Sequence, residues 1–131
     1  MHIEHVALYT SDLERMRSFY ETYFQVSVGQ KYTNPSKGFE SYFLTFDTGS
    51  RLEIMQSTQL EFSTPLSKPG RPFPGYAHLA ISLGSKDMVD NLTSRLRQDG
   101  YTVVTEPRTT GDGYYESVVL DPDGNLVELA V

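Results

Sequence analysis

The hydrophobic positions along this chain follow the same order of patterns twice. Residues 3–9 (IEHVALY) and 76–83 (YAHLAISL) are short β-rich runs, each with a histidine in the same setting. Each run is followed by a serine and then by apolar residues spaced three and four apart, as on one face of a helix. These apolar residues are Leu13, Met16, Tyr20, Tyr23 and Phe24 in the first half and Met88, Val89, Leu92 and Leu96 in the second. Both halves are therefore predicted to begin with a strand and a helix.

The ends of the two helices carry recognisable signals. Ser11 and Glu14 match a capping box, in which a hydroxyl and a carboxylate satisfy free amides of the first turn. Ser85 precedes the second helical pattern in the same way, and Gly100 is placed to end it in a left-handed conformation.

Three strand-like segments follow each helix. They span roughly 26–33, 40–47 and 51–56 in the first half and roughly 101–105, 114–120 and 125–130 in the second. Gly49 with Ser50, and the DPDG sequence at 121–124, predict the turns that join the last two segments of each half. Each half therefore reads as a βαβββ module.

A segment rich in proline and glycine separates the modules. Four of the seven prolines fall within residues 63–75, which marks a connection and not an element. We predict one domain over residues 1–131, with module 1 at about 1–60, a linker at about 61–75 and module 2 at about 76–131. A length of 131 residues agrees with a single domain.

The composition of the chain argues against several classes of function. The net charge of −6 disfavours binding to nucleic acid or to an anionic membrane surface. The absence of cysteine excludes thiolate metal sites and cysteine nucleophiles, so a bound metal would be held by histidine and carboxylate. The start of the chain lacks the basic and apolar regions of a signal peptide, and no apolar run approaches the ~18 residues of a membrane span. We therefore expect a cytoplasmic protein that acts on a small molecule.

The repeat brings two glutamates into correspondence with the two histidines. RLEIMQ closes the first half and NLVELA closes the second, so Glu53 and Glu128 occupy equivalent positions, as do His5 and His78. Two imidazoles and two carboxylates suit a divalent ion such as Zn²⁺, Ni²⁺, Co²⁺, Mn²⁺ or Fe²⁺. The sequence thus predicts a metal site made of these four residues. His2 has no counterpart in the repeat and is predicted to be an exposed side chain.

Nearly the whole chain resembles the vicinal oxygen chelate superfamily. The clearest matches are HVALYTSDLERMRSFYETYF (5–24) and DPDGNLVEL (121–129). The resemblance implies an α+β fold in which two tandem βαβββ modules form a cupped mixed sheet around a metal, the glyoxalase/bleomycin resistance/dioxygenase fold.

Within that superfamily, histidine and glutamate at the four positions resemble glyoxalase I, the lactoylglutathione lyase, in its bacterial short form. The resemblance implies that His5, Glu53, His78 and Glu128 are the metal ligands. It further implies that Glu128 moves a proton between two carbons of a hemithioacetal, with Glu53 as a second acid or base. A homodimer that shares its sites between chains is implied as well.

Three positions depart from the pattern by which glyoxalase I holds glutathione. Tyr9 stands in place of an arginine, Ser57 in place of an asparagine, and Thr110 near an expected lysine, with Arg108 close by. A neutral hydroxyl does not replace the charge that a carboxylate requires. The sequence therefore supports the metal centre and leaves the substrate open.

Other functions of the same superfamily stay as alternatives. An extradiol dioxygenase uses two histidines and one glutamate on iron, and fosfomycin-modifying enzymes also use a three-residue set with cationic residues for a phosphonate. Epimerases that act on acyl-CoA substrates use a metal and a glutamate base. Small-molecule-binding members without catalysis share the fold but generally lack the ligands.

Overall fold

The structure, a computed structural model, describes residues 2–61 and 75–131. The chain divides into two compact units at the Pro- and Gly-rich segment. Apart from its end residues, the predicted linker lies outside the described residues.

The first unit is a mixed sheet with one α-helix. Its elements are β1 (Val6–Tyr9), α1 (Leu13–Phe24), β2 (Ser27–Val28), β3 (Tyr32–Asn34), a 3₁₀ turn (Pro35–Lys37), β4 (Phe39–Thr45) and β5 (Arg51–Ser57). The strand order is β1-β5-β4-β2, and β3 also pairs with β4. The β1–β5 pair is parallel and the other pairs are antiparallel.

The second unit repeats this arrangement. Its elements are β6 (Leu79–Ser82), α2 (Lys86–Gln98), β7 (Val103–Thr109), β8 (Tyr115–Leu120) and β9 (Leu126–Ala130). The strand order is β6-β9-β8-β7, again with one parallel pair, β6–β9, at the edge. The predicted α+β class with two βαβββ modules is confirmed.

Each helix covers one face of its own sheet. The buried residues of α1 pack towards β4 and β5, and those of α2 towards β8 and β9. The first core contains Leu13, Met16, Phe19, Tyr20, Leu44, Leu52 and Ile54, and the second contains Val89, Leu96, Val119, Val127 and Leu129. Because side chains alternate along a strand, the residues between these positions lie on the opposite face, which we call the open face of each sheet.

Three details of the sequence prediction are corrected. The single strand predicted over 26–33 is two short strands, β2 and β3, so the first sheet has five strands and the second has four. The N-cap of α1 is Asp12, not Ser11, and its carboxylate accepts a hydrogen bond from the Arg15 amide. The first helical residue is then Leu13, which is fully buried against the sheet. The first strand of each module is also shorter than predicted, so His5 and His78 immediately precede β1 and β6 instead of lying within them.

The second helix has the predicted ends. Ser85 accepts a hydrogen bond from the Met88 amide. At the other end, the Tyr101 amide donates to the Leu96 carbonyl and the Gly100 amide donates to the Arg97 carbonyl. This is the Schellman pattern, and it requires the left-handed conformation that Gly100 adopts, with φ of +91°.

Candidate metal centre

In the first unit, the parallel pairing of β1 with β5 brings His5 and Glu53 together. Ala7 pairs with Glu53, so His5 lies two residues before the cross-strand partner of the glutamate. The distance from His5 Nε2 to Glu53 Oε2 is 3.7 Å. The Glu53 side chain is 16% exposed and that of His5 is 35% exposed, so both remain accessible to a small ligand.

The second unit reproduces this geometry with His78 and Glu128. Ala80 pairs with Glu128, the same offset as in the first unit, and His78 Nε2 lies 3.4 Å from Glu128 Oε2. The predicted equivalence of the two pairs therefore holds at the level of strand register. Each unit presents one imidazole and one carboxylate on its open face.

The donor atoms in each pair are spaced as two ligands of one cation would be. With metal–ligand bonds of about 2.0–2.2 Å, neighbouring donors of a tetrahedral or octahedral site lie roughly 3–3.5 Å apart. Two neutral imidazoles and two carboxylates also suit borderline divalent ions. Within residues 2–61 and 75–131, no group of three or more histidine, aspartate or glutamate side chains is arranged to hold a metal ion. The donors are thus present as two pairs, one per unit.

Aromatic and apolar side chains line the first pair. Phe43 is the cross-strand neighbour of Glu53 on β4, and its ring meets the His5 ring edge-on at a centroid distance of 5.2 Å. Met55 follows Glu53 on the same face of β5, where it pairs with Tyr9. Such surroundings limit access of water to the carboxylate without enclosing it.

The second pair has a charged neighbour that the sequence analysis missed. Glu116 lies on the open face of β8, and its side chain is 13% exposed and 3.4 Å from the Arg108 guanidinium. Burial, followed by the negative charge of Glu116, raises the pKa of Glu128, although His78 acts in the opposite direction. The sequence could have indicated that Glu116 lies near Glu128. A hairpin around the DPDG turn pairs Val118 with Glu128, and Glu116, two residues before Val118, is then a diagonal cross-strand neighbour of Glu128.

The three positions that depart from the glutathione pattern lie in different settings. Tyr9 ends β1 on the same face as Ala7 and is half exposed. Ser57 ends β5 and accepts a hydrogen bond from the Gln59 amide. Thr110 lies in the β7–β8 turn, where its hydroxyl contacts the Asp112 carboxylate and the Tyr114 carbonyl. The Ser57 and Thr110 hydroxyls are therefore already engaged in local structure.

The chain corresponds to a known protein family. Residues 2–129 match the model of the Glyoxalase/Bleomycin resistance protein/Dioxygenase superfamily. The chain belongs to this superfamily. This assignment confirms the resemblance to the vicinal oxygen chelate proteins that the sequence motifs indicated.

Superfamily relatives are found among both sequences and solved structures. The uncharacterized protein YqjT of Bacillus subtilis (strain 168) is 33% identical over 132 residues, with 97% of this chain and 96% of that protein covered. A glyoxalase family protein from Enterococcus faecalis is 25% identical, with a TM-score of 0.76 and 99% and 97% of the two chains covered. Glyoxalase I from Zea mays is 22% identical, with a TM-score of 0.77, and its likeness concerns the fold. This chain is covered to 98% in that comparison but spans only 44% of the maize chain.

No helix in the described parts of the chain is long and apolar enough to cross a membrane.

Proposed function

We propose that this protein is a metal-dependent lyase or isomerase of the glyoxalase type, which moves a proton between adjacent carbons of a hemithioacetal or a similar small oxygenated substrate. The observation that carries the proposal is the repetition of one His–Glu pair at the same register position in both units. The superfamily assignment and the glyoxalase names among the structural relatives support it.

In this proposal, His5, Glu53, His78 and Glu128 hold one divalent ion. When bound, the ion would supply Lewis-acid polarisation of substrate oxygens and would lower the pKa of the neighbouring carbon acid. The two half-buried carboxylates would neutralise the positive charge of the divalent ion. The coordination positions that the four side chains leave open would receive the substrate.

Glu128 is the residue we assign to proton transfer. The resemblance to glyoxalase I implies this role, and in the metal-free protein burial and the charge of Glu116 raise the pKa of Glu128, which distinguishes its carboxylate from an exposed glutamate. Glu53, on the equivalent strand of the other unit, is the second acid or base.

A homodimer is part of the proposal. Each unit holds half of the donor set, so a complete site requires two units, from one chain or from two.

The same scaffold could support other chemistry, and the substrate test below includes the main alternative, an extradiol dioxygenase.

The first test is metal analysis of protein purified without chelators. We expect about one divalent ion per chain, since four donors make one site. His78→Ala should lose most of the bound ion because removing one of the four donors weakens metal binding, whereas His2→Ala, which changes a histidine outside the repeat, should retain it.

The second test is a substrate comparison on the same preparation. Isomerisation of methylglyoxal–thiol adducts is expected, and it should disappear in Glu128→Gln. Oxygen uptake with catechols in place of isomerisation would support the dioxygenase. Wild-type protein that binds no divalent ion would contradict the metal-dependent function altogether.

A further inference from the structure

The His5 imidazole in the first unit has a second partner besides Glu53. Its Nδ1 atom contacts the carboxylate of Glu4, the preceding residue, through Oε2. The other oxygen of the same carboxylate, Oε1, pairs with the guanidinium of Arg51. Glu4 therefore bridges His5 and Arg51, and we refer to Glu4 and Arg51 together as the Glu4–Arg51 pair.

Arg51 is itself held in place by the sheet. It lies on β5 two residues before Glu53, and so on the same open face. Its guanidinium lies over the Phe43 ring, 4.5 Å from the ring centroid, and that ring meets His5 edge-on. The four side chains form a closed series of contacts that fixes the orientation of the His5 ring.

The contact with Glu4 determines which nitrogen of His5 carries the proton. A neutral imidazole has one N–H and one lone pair, and an ionised carboxylate can only accept. Glu4 contacts Nδ1, whereas Glu53 Oε2 lies 3.7 Å from Nε2, too far for a hydrogen bond, so a neutral ring is expected to carry its hydrogen on Nδ1 and its lone pair on Nε2. This is the tautomer that a histidine needs in order to bind a metal through Nε2, and a carboxylate partner also makes the ring a better donor.

The second module has no equivalent of this pair. Ala77 precedes His78 where Glu4 precedes His5, and Leu126 stands two residues before Glu128 where Arg51 stands before Glu53. Neither side chain has a polar atom. The repeat has therefore kept the two donor pairs, whereas a carboxylate directly before the histidine occurs in module 1 and not at the equivalent position of module 2.

We propose that Glu4, held by Arg51, is a positioning residue that sets the tautomer and orientation of His5, so that module 1 presents a prepared donor pair to the metal. The significance of this residue for a metal rests on the function proposed above. The tautomer itself is a property of the metal-free protein and can be measured without any metal.

The test is ¹⁵N NMR of the histidine side chains in the metal-free protein at about pH 8, where an ordinary imidazole is neutral. In the wild type we expect His5 to be protonated at Nδ1. In Glu4→Ala it should shift to the mixture of tautomers of an unrestrained ring, and Glu4→Gln, which keeps an acceptor but not the charge, should lie between the two. His78 serves as an internal control whose signals should not change.

Two further variants sharpen the result. Arg51→Met should release Glu4 and move His5 in the same direction as Glu4→Ala. Glu61→Ala, another exposed glutamate of the first unit, should leave the His5 signals as in the wild type. Zn²⁺ affinity, measured by competition with a chelating dye, should fall about 10- to 100-fold in Glu4→Ala.

The outcomes separate this inference from the proposed function. If His5 has the same tautomer in the wild type and in Glu4→Ala, the positioning role is wrong, whatever metal the protein binds. If the tautomer shifts but the wild-type protein binds no metal, the role of Glu4 stands and the metal-dependent function fails.

Discussion

Single residues in this protein acquire their chemistry from the neighbours that the strand register gives them. Glu53 and Glu128 are equivalent in sequence and in register, yet their surroundings differ. Glu53 lies opposite Phe43, whereas Glu128 lies opposite Val118 and diagonal to Glu116. The like charge of Glu116 is one reason for the raised pKa of Glu128.

Replacing Glu116 by Gln should lower the pKa of Glu128 in the metal-free protein, because a like charge is removed from its neighbourhood. Carboxyl ¹³C NMR titration would measure this directly. Glu106→Gln, on an exposed part of β7 where Glu106 pairs with Arg97, is the matched control and should not move the Glu128 titration. An unchanged Glu128 pKa in Glu116→Gln would show that the charge of Glu116 does not contribute to the shift.

The raised pKa of Glu128 also makes the stability of the folded protein depend on pH. A carboxyl whose pKa is raised on folding stabilises the folded state below its ordinary pKa, and this contribution is lost as the pH rises through the raised value. The contribution of Glu128 to the free energy of unfolding of metal-free protein should thus decline as the pH rises above the ordinary pKa of a glutamate. The decline should be smaller in Glu116→Gln, as measured by urea unfolding at several pH values.

At the scale of elements, the helix starts show where local signals were sufficient and where they were not. Ser85 was predicted correctly, and its side chain accepts from the Met88 amide at the start of the helix. In the first helix, Ser11 and Asp12 are adjacent and both residue types are good caps. Packing decides between them, since a helix that begins at Leu13 places that side chain in the core.

Removing either cap should cost about 1 kcal/mol of unfolding free energy. Asp12→Ala and Ser85→Ala each delete the side chain that accepts from an amide in the first turn, from Arg15 and Met88 respectively. Asp12→Asn is the control, because asparagine caps about as well as aspartate. Urea unfolding of the three variants is the measurement, and equal losses for Asp12→Ala and Asp12→Asn would mean that charge matters more than capping.

At the scale of the whole molecule, the proposed metal site raises the question of which two units would supply its four donors. Each unit has its own core, its own sheet and one donor pair. A dimer that shares its sites and a chain that builds its own site are both compatible with that division. The two arrangements respond differently to variants that each disable one unit.

Mixing inactive His5→Ala with inactive His78→Ala protein distinguishes them. If a site combines module 1 of one chain with module 2 of the other, the mixed dimer contains one intact donor set, and activity and metal binding should return to about a quarter of the wild-type level after random exchange of subunits. If each chain builds its own site, no combination contains an intact set. Recovery after mild unfolding and refolding together, compared with separate refolding, is the readout.

The sequence by itself determined the two βαβββ modules, the turns and the equivalence of His5 with His78 and of Glu53 with Glu128. It could do so because hydrophobic spacing, turn residues and an internal repeat are local or periodic signals. Tertiary structure decided the start of α1, the placement of both histidines just ahead of their strands, and the contacts of Glu4 with Arg51 and of Glu116 with Glu128. These depend on strand register and packing between residues distant in sequence, which no single segment of the chain encodes.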